Sequence, residues 1–92
     1  MTKRASFIIT YDISDEKRLA KIAKTTEKEA FRVQRSIYLY PDATIQELSA
    51  LLKKIVDLMH EKRDDVRVYK LLKGNIFLGS AIDLDNPDIF LI

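Results

Sequence analysis

The chain of 92 residues has no cysteine and no tryptophan, a single histidine, two glycines and two prolines. Each shortage removes a class of chemistry. Without cysteine there is neither a disulfide framework nor a thiolate metal centre. His60 alone leaves no Ser-His-Asp relay with a histidine to spare and no two-histidine metal site; next to Met59 on an expected helix, it reads as a surface residue. Two glycines, at 74 and 79, build neither a glycine-rich phosphate loop nor a dinucleotide fingerprint. No repeat or low-complexity tract interrupts the chain, so one compact unit without a linker is expected, spanning 1–92 with a core over 1–82 and a C-terminal loop and strand over 83–92. No apolar run approaches transmembrane length, and that of "MTKRASFIITYD" is too short for a signal peptide, so a cytoplasmic protein with no membrane partner is expected. The net charge of +2 does not by itself announce a nucleic-acid partner; the placement of the charges decides.

What the chain does have is the balance of a soluble globular domain, 47% hydrophobic and 33% charged, too much apolar content for disorder. "ASFIITYDI" (5–13) is β-branched, aromatic and apolar on both faces, which predicts a central strand. Ser14 then caps a helix with Asp15 and Glu16 in its first turn, and Leu19, Ile22, Ala23, Thr26 and Ala30 supply its buried stripe. "FRVQRSIYLY" (31–40) alternates, with Phe31, Val33, Ile37 and Leu39 expected inward and Arg32, Gln34, Ser36, Tyr38 and Tyr40 outward. Arg35 breaks the alternation, and one strand or two short ones both fit. Thr44 to Glu47 is a capping box for a second helix, whose stripe runs Ile45, Leu48, Leu51, Leu52, Ile55, Leu58, Met59 and whose end is expected near Lys62. A strand over 65–72, a hairpin partner over 76–82, a loop over 83–88 and the apolar tail "IFLI" complete the order. The expected fold class is an α+β, ferredoxin-like sandwich with two helices on one face of a mostly antiparallel sheet. The opposite face then carries either Ile8, Thr10 and Asp12 or Phe7, Ile9 and Tyr11, and stacking against a second copy would cover it.

The composition leaves metal, arginine and hydroxyl chemistry. Asp12 ends the first strand, where a carboxylate either caps the turn into the helix or ligates a hard cation. Lys17, Lys21, Lys24 and Lys28 recur at helical spacing, a ridge that either is simply solvated or follows a phosphate backbone. Arg18 lies off that ridge, near the Asp12 turn. Arg32 shares a strand face with Gln34, Ser36 and Tyr38, and Arg67 alternates with Tyr69. Interleaved arginine and tyrosine suit phosphate forks and base stacking, and equally an ordinary polar sheet face.

"YDISDEKR", "FRVQRSIY" and "DDVRVYKL", in this order and register, resemble the small CRISPR-associated adaptation protein, the ferredoxin-like partner of the CRISPR integrase. The likeness runs from about Phe7 to Leu72. It implies a homodimer in which the C-terminal strand, here within "DIFLI", adds to the partner's sheet. It also implies that Asp12 faces its twin across the two-fold axis and holds Mg²⁺ or Mn²⁺. Tyr11 and Asp12 match the family's pair at the metal site; Arg18, Arg32, Gln34, Ser36 and Tyr38 match its surrounding polar and aromatic positions; Asp65 and Arg67 match its last motif. The chain departs from the family at Ala30–Phe31, where a glycine is usual, at Tyr38, where phenylalanine is common, and at Leu19–Ala20, a region often richer in arginine.

Two functions within that resemblance are compatible. One is a spacer-acquisition dimer that binds a duplex DNA pre-spacer and bridges integrase dimers. The other is a Mg²⁺-dependent endonuclease cutting single-stranded RNA or double-stranded DNA, with Asp12 on the metal and Arg18, Arg32 and Tyr38 at the scissile phosphate. Nucleic acid would lie on Lys17, Lys21, Lys24, Lys28, Arg32, Gln34, Ser36 and Arg67. A reading outside the family is a ferredoxin-like regulatory module that binds a small ligand and has no nuclease activity.

Overall fold

In the computed structural model, residues 3–71 and 89–91 are described. The order is β1 (Ala5–Asp12), α1 (Glu16–Glu27), β2 (Phe31–Gln34), β3 (Ile37–Ala43), α2 (Ile45–Leu58), β4 (Asp65–Leu71) and β5 (Ile89–Leu91). The sheet runs β2-β3-β1-β4-β5, and every neighbouring pair is antiparallel. The first four strands with both helices make the expected ferredoxin-like arrangement. β5 lies beside β4 of its own chain, with Ile89 opposite Leu71 and Leu91 opposite Tyr69. The hairpin partner expected over 76–82 and the loop over 83–88 lie outside the described residues.

Both helices form for the reasons the sequence contains. Ile22, Ala23 and Thr26 of α1, with Ala30 just beyond it, turn one stripe inward, and Leu48, Leu51 and Ile55 do so on α2. The Thr44–Glu47 capping box is complete: Glu47 N donates to Thr44 Oγ1 at 3.0 Å and Thr44 N donates to Glu47 Oε1 at 2.9 Å. Three helix details differ from expectation. The α1 cap is Asp15, not Ser14 or Asp12, because the Asp15 carboxylate accepts from Arg18 N at 2.9 Å. α2 stops at Leu58, four residues before Lys62, and His60 sits in the exposed turn that follows. Ile45, placed in the buried stripe by its spacing, is 55% exposed at the first position of α2.

The stretch 31–40 is two strands joined at Arg35–Ser36, the point where the alternation broke. Ser36 carries the turn at φ 64°, and its carbonyl accepts from Tyr11 N at 3.1 Å. The expected inward and outward faces of this stretch are reversed. Tyr38 and Tyr40 pack under the helices with Phe7, Ile9, Tyr11, Leu51 and Ile55 in the main core. Leu39 instead joins Ile8 and Leu71 on the other side of the sheet, with Val33, Ile37 and Tyr69 packed around them, and Phe31 is 64% exposed. Cross-strand register accounts for this. Ile9 pairs with Tyr38 and Phe7 with Tyr40, so the tyrosines follow the helix-facing residues of β1. Of the two sets left open for the face opposite the helices, Ile8, Thr10 and Asp12 is the one the fold selects, and Ile8, with Leu39 and Leu71, is buried there within the protomer rather than waiting for a second copy to cover it.

Candidate functional site

At the end of β1, Asp12 is exposed on the sheet face opposite the helices, directly across from Asp65, the first residue of β4. Two pairs further along, on the same face, Thr10 faces Arg67, whose Nε lies 3.1 Å from Asp65 Oδ2. That ion pair, both partners mostly exposed, holds the Arg67 guanidinium above its ordinary range. Asp12 itself has no ion-pair or hydrogen-bond partner among the described residues. Two carboxylates with one arginine therefore sit at one corner of the face opposite the helices.

Behind that corner lies Asp64, the first residue of "DDVRVYKL", for which the sequence suggested no role. The Asp64 side chain is 0% exposed and is the hub of three segments. Its Oδ1 accepts from Ser14 N at 3.0 Å, Ser14 Oγ at 3.1 Å and Arg18 Nη2 at 3.2 Å. Its Oδ2 accepts from Arg18 Nε and from His60 N, both at 2.8 Å. The two bonds from Arg18 are the forked pairing that suits guanidinium and carboxylate. They hold the Asp64 carboxyl far below the usual carboxylate range and raise Arg18 in turn. Arg18, expected at the scissile phosphate, is thus engaged with Asp64 in this protomer.

Arg32 and Tyr38 are together, but not with Asp12. Arg32 pairs with Tyr38 across β2 and β3, on the helix side of the sheet. Arg32 Nε donates to Tyr38 Oη at 3.2 Å, its guanidinium lies 5.7 Å from the Tyr38 ring centroid, and Glu27 Oε1 is 3.4 Å away. Tyr38 is 0% exposed, so its ring is core, and its hydroxyl accepts from Arg32. Beneath it, Tyr11 stacks at 5.5 Å in a tilted pair, and its buried hydroxyl has no hydrogen-bond partner among the described residues. Burial first, then the neighbouring Tyr38, pushes the Tyr11 phenol well up. Thr26, also close enough to influence it, donates its own proton to the Ile22 carbonyl at 2.7 Å.

The remaining expected contacts are dispersed. Lys17, Lys21, Lys24 and Lys28 are all exposed along α1, and none is in an ion pair among the described residues. A β-bulge after Arg32 puts Gln34 opposite Ile37, off the Arg32–Tyr38 face, and Ser36 is half-buried in the hairpin turn. At the far end of the sheet a cavity of about 480 Å³ opens beside Lys3, Arg4, Ala43 and Ile45. Arg4 there is tied to Glu47 at 3.1 Å and to the Asp42 carbonyl at 2.9 Å.

This arrangement coincides with a known family. The family model described as CRISPR associated protein Cas2 matches residues 5–77. The chain belongs to the Cas2 family. It is 37% identical over 85 residues to a protein of Thermodesulfovibrio yellowstonii named CRISPR-associated endoribonuclease Cas2 2, with 92% of each chain covered. To the CRISPR-associated endonuclease Cas2 of Halalkalibacterium halodurans it is 34% identical over 97 residues, covering 90% of this chain and 97% of the other. The crystal structure of Streptococcus pyogenes Cas2 at pH 6.5 superposes with a TM-score of 0.62 at 29% identity, over 70% of this chain and 82% of that one. The fold is shared still more closely, at a TM-score of 0.75, with the hypothetical protein TT1823 from Thermus thermophilus, 23% identical, over 88% of this chain and 98% of that one.

A metal-dependent Cas2 nuclease needs hard oxygen donors, and the Asp12 corner offers them. No group of three or more histidine, cysteine, aspartate or glutamate side chains converges among the described residues of one protomer. Two exposed carboxylates, Asp12 and Asp65, do stand side by side. That donor set fits Mg²⁺, which takes one or two carboxylates and keeps most of its waters, far better than it fits zinc.

Proposed function

We propose that this Cas2 chain is a metal-dependent endonuclease of CRISPR adaptation that acts as a homodimer joined through the sheet face opposite its helices. Family membership supports the role in CRISPR spacer acquisition and the hydrolytic nuclease activity. The observation that carries the dimer is the placement of exposed Asp12 on the same sheet face as Phe31, which is 64% exposed beside the half-buried Val33 and Ile37, while Ile8, Leu39 and Leu71 beneath are already buried within the protomer. A second copy laid face to face covers Phe31 and brings a second Asp12 toward the first. Two carboxylates so placed repel, and Mg²⁺ or Mn²⁺ relieves the repulsion. Bound there, the cation supplies the Lewis acidity that phosphodiester hydrolysis requires.

The chain's own residues do the rest. Asp12 fixes the cation. Arg67, exposed at the same corner, neutralises phosphate charge. Arg32 lies at the helix-side edge of β2, where it meets the strand flanking the cut rather than the cut itself. Arg18 and Tyr38, both engaged within the protomer, shape the site from behind. The exposed ridge of Lys17, Lys21, Lys24 and Lys28 follows a phosphate backbone. The substrate is single-stranded RNA or double-stranded DNA, a duplex pre-spacer is held between CRISPR integrase dimers that the Cas2 dimer bridges, and in the assembly β5 exchanges its place beside its own β4 for the partner's sheet. The protein works in the cytoplasm.

The experiment pairs wild type with Asp12→Ala, scoring Mg²⁺-dependent cleavage of labelled RNA and DNA beside duplex binding across a salt series. Cleavage lost with binding retained is the expected result. No cleavage by highly purified wild type, with steep salt-dependent binding, would leave a scaffold without nuclease activity. No binding at any salt would remove both roles.

A further inference from the structure

Behind the Asp12 corner stands Asp64, the first residue of the motif "DDVRVYKL". The Asp64 side chain is shielded from solvent yet charged, and a shielded charge persists only where partners compensate it. Its partners come from three places: Ser14 in the β1–α1 turn, Arg18 in the first turns of α1, and the His60 backbone in the α2–β4 turn. Ser14 is two residues past Asp12, and Asp64 itself precedes Asp65, the residue in register with Asp12. One buried side chain thus ties together the chain leaving Asp12 and the chain entering Asp65. Arg18 closes the ring, since its Nη2 also donates to Ser14 Oγ at 3.1 Å. Exposed ligands on strand ends gain their geometry from such buried partners, and losing the partner weakens metal binding without removing a ligand.

We infer that Asp64 is a positioning residue for the metal carboxylates, setting through Ser14 and Arg18 the direction in which Asp12 and Asp65 leave the sheet. This rests on the reading of Asp12 as the metal ligand. Asp64 touches neither metal nor phosphate. It acts by denying the β1–α1 turn the freedom to rotate Asp12 away, so that little ordering remains to be done when the cation arrives.

The test is Mn²⁺ titration followed by electron paramagnetic resonance on full-length wild type, Asp64→Asn, Ser14→Ala, Arg18→Lys and Asp12→Asn. All are measured at neutral pH and well below their melting temperatures, so that stability alone does not move the readout. Asp64→Asn keeps shape and loses the charge that the arginine fork grips. It is expected to weaken Mn²⁺ binding about tenfold or more at unchanged stoichiometry. Arg18→Lys, which keeps charge but not the fork, and Ser14→Ala, which removes one donor, are expected to weaken it by smaller factors in the same direction; these two decide the matter if Asp64→Asn does not fold. Mn²⁺ affinity unchanged in Asp64→Asn, or in both lesser variants if it does not fold, while Asp12→Asn abolishes binding, would overturn the positioning role and leave Asp12 as ligand. Wild-type affinity in Asp12→Asn would overturn both.

Discussion

Removing the Tyr11 hydroxyl should stabilise this protein, against the usual outcome for a buried tyrosine. The hydroxyl is shielded from solvent and has no hydrogen-bond partner among the described residues. Its two polar neighbours make other bonds, Tyr38 Oη accepting from Arg32 Nε at 3.2 Å and Thr26 Oγ1 donating to the Ile22 carbonyl at 2.7 Å. An unpaired buried hydroxyl costs about 1–3 kcal/mol, whereas the ring packing against Tyr38 survives in phenylalanine. Against that gain stands the small gap left by one oxygen, so the net for Tyr11→Phe is about 1 kcal/mol of added stability. In a domain of this size that raises Tm by about 4–8 °C. The assay is urea unfolding with a matched thermal melt at one fixed protomer concentration, since a dimer's stability depends on concentration. An unchanged m-value with a higher midpoint is expected. A Tyr11→Phe protein less stable than wild type would refute the reasoning, because it would mean the hydroxyl is paired.

Other outcomes follow from the same structure. Thr44→Ala removes the completed capping box of α2 and should cost about 1 kcal/mol, read as a lower urea midpoint. The Asp64 carboxyl is held below its unfolded value by Arg18, so its contribution is fully present above the ordinary aspartate pKa of about 4 and is lost as pH falls through the lower folded value. The stability gap between wild type and Asp64→Asn should therefore be constant from neutral pH down to about 5 and close below about 4; a gap that widens on acidification would contradict it. Reversing Lys21 and Lys24 to Glu should weaken duplex binding and flatten its dependence on salt, and an unchanged slope would mean that these exposed lysines merely face solvent.

The helices were legible because a 3.6-residue period and a capping box are local signals, and Leu48, Leu51, Ile55 and the Thr44–Glu47 pair occupy the places those signals assign. The strand pair 31–40 was harder. Its hairpin turn has no glycine or asparagine, only Ser36 at positive φ, so the break at Arg35 was the sole mark of it. Its facing was misread because polarity does not rank tyrosine against phenylalanine. Tyr38 and Tyr40 enter the core by register with Ile9 and Phe7, while Phe31 follows Leu39 to the side opposite the helices. Asp12 was visible at its strand end. Asp64 was not, since its partners Ser14 and Arg18 are 50 and 46 positions away and only the fold brings them together. The same holds for Arg32, which shared an apparent face with the site in sequence and sits across the sheet from Asp12 in space.

The sharing of one cation by Asp12 from both protomers is tested most directly by mixing. Wild-type and Asp12→Ala chains, refolded together in equal amounts, form dimers at random, and Mg²⁺-dependent cleavage is compared with wild type alone at the same total concentration. If the site needs Asp12 from both chains, only wild-type homodimers cut, and activity falls to about one quarter. A fall to only about one half would mean that each protomer cuts with its own Asp12, and no fall at all would mean that Asp12 does not hold the metal.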